Sequence, residues 1–191
     1  GVQALLGVSW VKDKENTKVN FIRFEVLYLA VTFCVYTVAL VLVDKFVELY
    51  TDGFDGSSYQ RPELALLFII VGLLDNIRVP GRTLISAVGH YKLTKSRTVA
   101  EAIINIGFSL LLGYAYGMSG VLFGAVLSFM YRDIDIFFYV YHNVLNLGFK
   151  RVGFRLLSLV APFLIVLVAS MEVGFYIDGS GWIGWFLNAC L

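Results

Sequence analysis

Residues 64–88 read LALLFIIVGLLDNIRVPGRTLISAV, and this stretch decides the fold class of the chain. Its first eleven residues carry no charge, and a run this apolar is typical of a membrane-spanning helix. Asp75, Arg78 and Arg82 then interrupt the run at a depth where a charged side chain is costly. Ionisable groups inside a span usually face a partner or a water-filled cavity. The segment therefore predicts a transporter more than a membrane anchor.

The composition of the whole chain also indicates a membrane protein. Apolar residues make up 59% of the 191 residues and charged residues 15%, against about 45–50% and about 25% in soluble domains. The two cysteines, Cys34 and Cys190, form neither a disulfide framework nor a metal-ligand spacing. No nucleotide, metal or dinucleotide motif is present, so no cofactor, no catalytic residue and no nucleic-acid partner are expected.

Four membrane spans are predicted in the first three quarters of the chain. Residues 26–43 are eighteen uncharged residues, which make a helix of about 27 Å. A second span runs over residues 62–88. Residues 102–131 are thirty uncharged residues, and at about 45 Å one helix of this length exceeds the hydrocarbon core. The Gly- and Ser-containing stretch 116–120 predicts a turn that divides it, with the fourth span continuing as helix to about Tyr141.

The rest of the chain predicts a fifth span over residues 155–171 and a sixth that begins at Trp182 and stops short. The expected fold is therefore an all-α, polytopic transmembrane bundle of five full spans plus a truncated sixth. Because the chain opens without Met inside an apolar stretch, residues 1–191 are expected to be a fragment, incomplete at both ends, of a transporter with 12–14 spans.

The charges of the predicted loops alternate in a way that sets the direction of the spans. Basic residues cluster at 12–23, 92–97 and 150–155, whereas the loops 44–63 and 172–178 are predominantly or wholly acidic. The uncharged turn at 116–120 agrees with this alternation. The basic loops on either side of it lie on the same side of the membrane, so an even number of spans must separate them. The positive-inside rule then places the basic loops in the cytoplasm.

The second span carries the first group of candidate site residues. Asp75, Arg78 and Arg82 fall at positions i, i+3 and i+7, so they share one face of a helix. This face is interpreted as a cationic stripe lining a cavity, since the planar guanidinium suits bidentate contact with phosphate. The alternative is a local Asp75–Arg78 pair, with Arg82 reaching the cytoplasmic headgroups.

The third and fourth spans each carry a further polar face. Arg132, Asp135, Tyr139 and His142 recur at helical spacing in the fourth span, either as a lumen surface or as an interfacial helix end with a structural ion pair. In the third span a similar stripe favours contacts between helices. Two of its members, Glu101 and Asn105, are also candidates for lining a lumen. The residues of that stripe are Thr94, Thr98, Glu101, Asn105 and Ser109.

Several motifs carry a resemblance to a known family. They are GHYKLT at 89–94, EAIINIGFSL at 101–110 and GMSGVLFGA at 117–125, together with RVP at 78–80, YR at 131–132 and the YTDG and YQRP of the loop 50–62. The chain resembles the C-terminal half of bacterial polysaccharide flippases, the O-antigen and capsule exporters of the multidrug/oligosaccharidyl-lipid/polysaccharide exporter superfamily. The resemblance covers nearly the whole chain, and Ala125 departs from it where the family pattern has Thr.

The resemblance implies a multi-pass protein of the bacterial cytoplasmic membrane, without enzyme activity, in which two helix bundles enclose a cationic lumen. Such a protein moves an undecaprenyl-pyrophosphate-linked oligosaccharide to the outer leaflet for cell-surface polysaccharide biosynthesis, and the N-terminal half of the same transporter is its partner. The substrate-binding candidates are Arg78, Arg82, Asn76, Asn105, Arg132 and Tyr139. The candidates for ion coupling are Asp75, Glu101 and Asp135.

Three alternatives stay open at this point. A multidrug or metabolite exporter of the same superfamily would need a negative, aromatic lumen, and the arginine pair argues against it. A membrane-embedded enzyme of polysaccharide assembly would need a long outer loop with Arg and His, whereas the outer loops here are short and acidic. A scaffold without transport would leave the embedded charges unexplained.

Overall fold

The computed structural model describes residues 1–51 and 61–146, and in these two ranges the chain folds into helices without any strand. The helices are α1 (Val2–Lys12), α2 (Lys14–Thr51), α3 (Pro62–Ile77), α4 (Val79–Ala87), α5 (Tyr91–Tyr116) and α6 (Met118–Phe138). A π-helical turn, Tyr139–Val144, continues α6. The all-α prediction is confirmed for the described part of the chain.

Three helical segments in these ranges are long and apolar enough to cross a membrane: Lys14–Leu40, Glu63–Ala87 and Tyr91–Tyr116. They indicate a membrane protein. The fourth predicted span corresponds to α6, which has 21 residues but includes three charged ones near its end. The fifth and sixth predicted spans lie outside the described residues. The count of five spans and the expected fragment of a larger transporter therefore stay predictions.

The first predicted span is the central part of a longer helix. α2 has 38 residues, which correspond to about 57 Å and exceed the hydrocarbon core. It begins twelve residues before the predicted start, because charged residues end a hydrophobic run but do not end a helix. Its start is fixed by Asp13, whose Oδ1 accepts hydrogen bonds from the backbone N–H groups of Glu15 and Asn16 at 3.0 and 3.1 Å.

The second predicted span is divided into α3 and α4 at Arg78. Pro80 has no backbone N–H and its ring crowds the preceding turn, so the regular hydrogen bonding of the segment Glu63–Ala87 is interrupted near this point. Proline is well accommodated in the first turn of a helix, and here it stands in the first turn of α4. The sequence predicts one helix over 62–88. The break instead places Arg78 at the junction of two helices.

The third and fourth spans form the predicted helix hairpin. α5 ends at Tyr116, Gly117 turns the chain with φ of 62°, and α6 begins at Met118. The two helices approach closely: a Cβ atom added to Gly120 would lie 1.9 Å from the carbonyl oxygen of Leu112. α6 passes Met130 and continues to Phe138, followed by the π-helical turn. The prediction that this helix extends through Arg132 is confirmed.

α6 packs against both α5 and α3. α2 packs against α3 and α4, and α1 packs against α2 and α4. A buried hydrophobic cluster lies where α1, α2, α4, the end of α6 and the π-helical turn meet. Its members are Leu6, Phe21, Leu84, Ile85, Ile136, Tyr139, Val140, Tyr141, Val144 and Leu145. Beside it, α4 comes so close to α6 that a Cβ atom at Gly81 would lie 2.4 Å from Cγ2 of Ile136. This packing brings the polar faces of α3, α5 and α6 together.

Candidate functional site

Eight charged side chains from α3, α4, α5 and α6 form one connected set of ion pairs, which we call the ionic network. It contains four arginines and four carboxylates, so its charges balance when all are ionised. Its members are Asp75, Arg78, Arg82, Arg97, Glu101, Arg132, Asp133 and Asp135.

Arg78 is the centre of the ionic network. Only 4% of its side chain is exposed, and its guanidinium lies 3.9 Å from the ring centre of Phe129. Its Nε and Nη2 both donate to Oδ1 of Asp75, at 3.1 and 2.8 Å, and its Nη1 donates to Glu101. The junction between α3 and α4 thereby connects to α5. The local Asp75–Arg78 pair is one of the two interpretations of the sequence pattern, and the structure adds Glu101 as a second partner.

Arg132 contacts the second carboxylate oxygen of Glu101. Its Nη1 donates to Oδ2 of Asp135 at 2.7 Å, its Nη2 donates to Oγ1 of Thr98 at 3.0 Å, and its Nε lies 3.5 Å from Oε2 of Glu101. Glu101 therefore bridges two buried arginines on two different helices. Removing one partner from such buried pairs typically costs about 3–5 kcal/mol, because a charge is left uncompensated.

Two further arginines lie at the edge of the ionic network. Arg82 is half exposed, at 48%, and its Nη2 lies 3.6 Å from Oδ1 of Asp75, which is itself 50% exposed. Arg97 is 38% exposed, donates to Asp135 and lies 5.0 Å from the ring centre of Tyr139. These two cations are the ones that an anionic molecule could reach without disrupting the buried pairs.

Asp133 is the network member that the sequence pattern does not identify. It follows Arg132 directly, so its side chain leaves α6 about 100° away from that of Arg132, outside the periodic polar face. Its carboxylate lies 4.0 Å from Nε of Arg78. Neither carboxylate oxygen accepts a hydrogen bond from a group in the described part of the chain, although both are buried.

The two candidate asparagines tie helices together. Asn76 accepts a hydrogen bond from the hydroxyl of Tyr28 at 3.1 Å, and its Nδ2 donates to the hydroxyl of Tyr36 and to the carbonyl oxygen of Gly72, both at 3.0 Å. The α2–α3 contact thus depends on one amide whose oxygen and nitrogen are both used. Asn105 makes a comparable tie from α5, as its Nδ2 donates to Oγ of Ser128 on α6 at 2.9 Å.

Other residues of the polar stripe on α5 also lie at contacts between helices. Ser109 donates to the carbonyl oxygen of Val121 at 3.1 Å, and Thr94 is buried. The stripe therefore serves as the contact surface for α6, as residues of this kind often do between membrane helices. Of its five residues, only Glu101 belongs to the ionic network.

Tyr139 lies at the cytoplasmic end predicted for this bundle. It is buried, and its hydroxyl lies 3.2 Å from Nδ1 of His90, the residue before α5. Nearby, a second aromatic hydroxyl, that of Tyr141, donates to Glu25 on α2, and both of these residues are buried. Sequence periodicity does not single out Glu25, because it stands alone at the start of an apolar run.

Two clefts in the described part of the chain lie away from the ionic network. One of about 760 Å³ and one of about 430 Å³ are lined by residues of α1 and its neighbours, and no network residue lines either of them. Within residues 1–51 and 61–146, no group of three or more His, Cys, Asp or Glu side chains could hold a metal ion. The arrangement holds paired charges at the contact between helices, with two arginines accessible at its edge.

A scan against protein-family models and searches of curated proteins and of solved structures find no match to this chain.

Proposed function

We propose that this protein exports undecaprenyl-pyrophosphate-linked oligosaccharide repeat units across the bacterial cytoplasmic membrane, as the C-terminal half of a polysaccharide flippase. The observation that carries the proposal is the ionic network itself. Charged side chains are rare in membrane helices and mark substrate or ion pathways where they occur. Here eight of them meet on four helices and a helix junction, and α3, α4 and α5 belong to segments that are long and apolar enough to cross a membrane.

The arginines of the ionic network support an anionic substrate. A pyrophosphate group needs fixed cations, and guanidinium groups bind phosphate oxygens in pairs. Arg82 is half exposed, and its Nη2 makes only long contacts with Asp75, at 3.6 Å to Oδ1 and at 3.5 Å to the backbone carbonyl oxygen. Exchanging these contacts for a phosphate oxygen costs little, so Arg82 is the first cation that the headgroup meets in the proposed cycle.

Arg78 acts later in the proposed cycle because its donors are already engaged. Its two bonds to Asp75 involve a carboxylate that is half exposed, whereas its bond to Glu101 involves a largely buried one. The pyrophosphate would therefore displace Asp75 and leave the Arg78–Glu101 pair intact. That exchange replaces one anion by another beside the same cation, so the buried guanidinium of Arg78 keeps a counter-charge throughout.

The experiment expresses variants of the full-length protein in a bacterial strain that lacks its own flippase. Surface polysaccharide and the membrane abundance of each variant are measured together. Arg82→Ala removes a charge-assisted hydrogen bond of about 1.5–3 kcal/mol, so transport should fall about 10- to 150-fold at normal abundance. Arg82→Lys keeps the charge without the planar fork and should fall less. Arg23→Ala is the matched control, because Arg23 is exposed on α2 and outside the ionic network.

Two variants at position 78 separate transport from folding. Arg78→Ala leaves Asp75 and Glu101 without their cation and should reduce abundance as well as transport. Arg78→Lys retains a cation for the two carboxylates, so abundance should hold while transport falls. Full complementation by Arg82→Ala or by Arg78→Lys at normal abundance would contradict the proposed role of the arginines.

A further inference from the structure

Asp133 differs from the other carboxylates of the ionic network because it accepts no hydrogen bond from the described residues. Asp75, Glu101 and Asp135 each accept at least one from an arginine. Asp133 accepts none from the described residues, although both of its oxygens are withdrawn from solvent and only 11% of its side chain is exposed. Its nearest cationic atom is Nε of Arg78 at 4.0 Å, which already donates to Asp75.

The charges that face Asp133 come from each helix packed around it. They are Asp75 from α3, Arg78 from the junction, Arg82 from α4 and Glu101 from α5. Two are cations and two are anions, so they nearly offset one another. On its own helix, the preceding arginine is engaged with Asp135, Thr98 and Glu101.

A carboxylate in this position is stable as an anion only when it is paired and hydrogen-bonded. A proton on one oxygen removes the free-energy cost of burying the charge, because the neutral acid carries no charge to compensate. With the proton, the eight groups of the ionic network carry a net charge of +1. Without it they are neutral, and Arg78 must move about 1 Å closer for its Nε to form a hydrogen bond with Asp133.

We propose that Asp133 is the proton-binding group of this protein, and that Arg78 alternates between Asp75 and Asp133 as the proton binds and leaves. This inference rests on the proposed function, because it assigns the coupling ion of that export. A proton from the outer side binds an oxygen of Asp133 and later leaves to the cytoplasm. In the protonated state Arg78 pairs with Asp75, as observed, and in the deprotonated state Arg78 turns to Asp133 and Asp75 is released.

The geometry explains why Asp133 is better suited to this role than the carboxylates that sequence spacing favours. Glu101 holds two buried arginines together, so protonating it would leave both cations with one partner fewer. Asp135 is likewise bound by Arg132 and Arg97. Protonation of Asp133 breaks no hydrogen bond in the described part of the chain.

The test uses the full chain in membrane vesicles with an imposed pH gradient and sodium held constant. Coupling between two sites is typically worth 5- to 150-fold, so Asp133→Asn should reduce the stimulation of export by the gradient at least about fivefold. Asp133→Glu keeps a titratable group and should retain most of the stimulation. Glu15→Gln is the matched control, since Glu15 is an exposed carboxylate paired only with Lys18 at the surface of α2.

A second measurement does not depend on transport. Infrared difference spectra between about pH 9 and about pH 6, a window in which exposed carboxyl groups with ordinary pKa values of about 4 stay ionised, should contain the carbonyl stretching band of a protonated carboxylic acid. Asp133→Asn should lack this band, while Asp135→Asn should retain it. If the band persists in Asp133→Asn, or if sodium rather than the pH gradient drives export, the inference is wrong and the proposed export stands. If the wild-type vesicles export nothing while the band depends on Asp133, the proposed function fails and proton binding by Asp133 holds.

Discussion

The contact between α5 and α6 at Gly120 allows a sharp test of the packing. A Cβ atom at this position would lie 1.9 Å from the carbonyl oxygen of Leu112, 2.4 Å from its carbonyl carbon and 2.9 Å from the backbone nitrogen of Gly113. All three atoms belong to backbone, so no side chain can rotate away. Gly120→Ala must therefore separate the two helices by about 1.5 Å at this point to reach an ordinary contact of 3.4 Å.

The expected cost follows from two opposing terms. Overpacking typically costs about 1–3 kcal/mol, and the rigid backbone places this site at the upper end. Replacing Gly by Ala within a helix returns about 0.5–1 kcal/mol. The net loss should be about 2 kcal/mol, which corresponds to a fall in melting temperature of about 4–8 °C for a chain of this size.

Gly107→Ala on α5 is the matched control, because a Cβ atom there would have no atom of another described helix within 4 Å. This variant keeps only the favourable helix term and should melt at the same temperature as the wild type or slightly above it. The assay is thermal unfolding of the detergent-solubilised protein, followed by near-ultraviolet circular dichroism. Equal melting temperatures for Gly120→Ala and Gly107→Ala would refute the close approach of α5 and α6.

Two further predictions concern the α2–α3 contact and the orientation of the chain. Asn76→Leu removes the partner of two tyrosine hydroxyls and should lower the free energy of unfolding by about 1–2 kcal/mol, since single hydrogen bonds between membrane helices average about 0.6 kcal/mol. Tyr28→Phe removes one of these hydrogen bonds and should cost less than half as much. An equal loss in the two variants would contradict the sharing of the Asn76 amide between the two tyrosines. In a background without Cys34 and Cys190, an impermeant thiol reagent added to intact cells should label a cysteine at position 55, which lies outside the described residues, and should not label one at position 95; labelling at 95 would overturn the orientation inferred from loop charge.

The helix hairpin could be predicted from sequence because hydrocarbon thickness limits the length of a span. Thirty uncharged residues are too many for one crossing, and Gly117 supplies the positive φ at which the chain turns. The same argument predicts that α6 continues past Met130. The length of α2 could not be predicted in this way, since hydropathy measures the apolar part of a helix and the cap at Asp13 lies outside it.

The candidate site could be predicted only in part. Helical spacing places Asp75, Arg78 and Arg82 on one face, and their local contacts follow from it. The partners on other helices could not be predicted, because they depend on how α6 is rotated against α3. Asp133 is the clearest case: its neighbour Arg132 belongs to the periodic face, and Asp133 itself points toward Arg78 instead.

The proposed function requires that the protein move a lipid-linked oligosaccharide from the inner to the outer leaflet. The most direct measurement uses vesicles that contain the full-length protein and undecaprenyl-pyrophosphate-linked oligosaccharide in a single leaflet, with arrival in the opposite leaflet detected by a membrane-impermeant glycosidase. We expect wild-type protein to accelerate arrival over protein-free vesicles, and we expect Arg82→Ala to abolish most of the acceleration while Arg23→Ala does not. Arrival at the same rate with wild-type protein as without protein would contradict the proposed function.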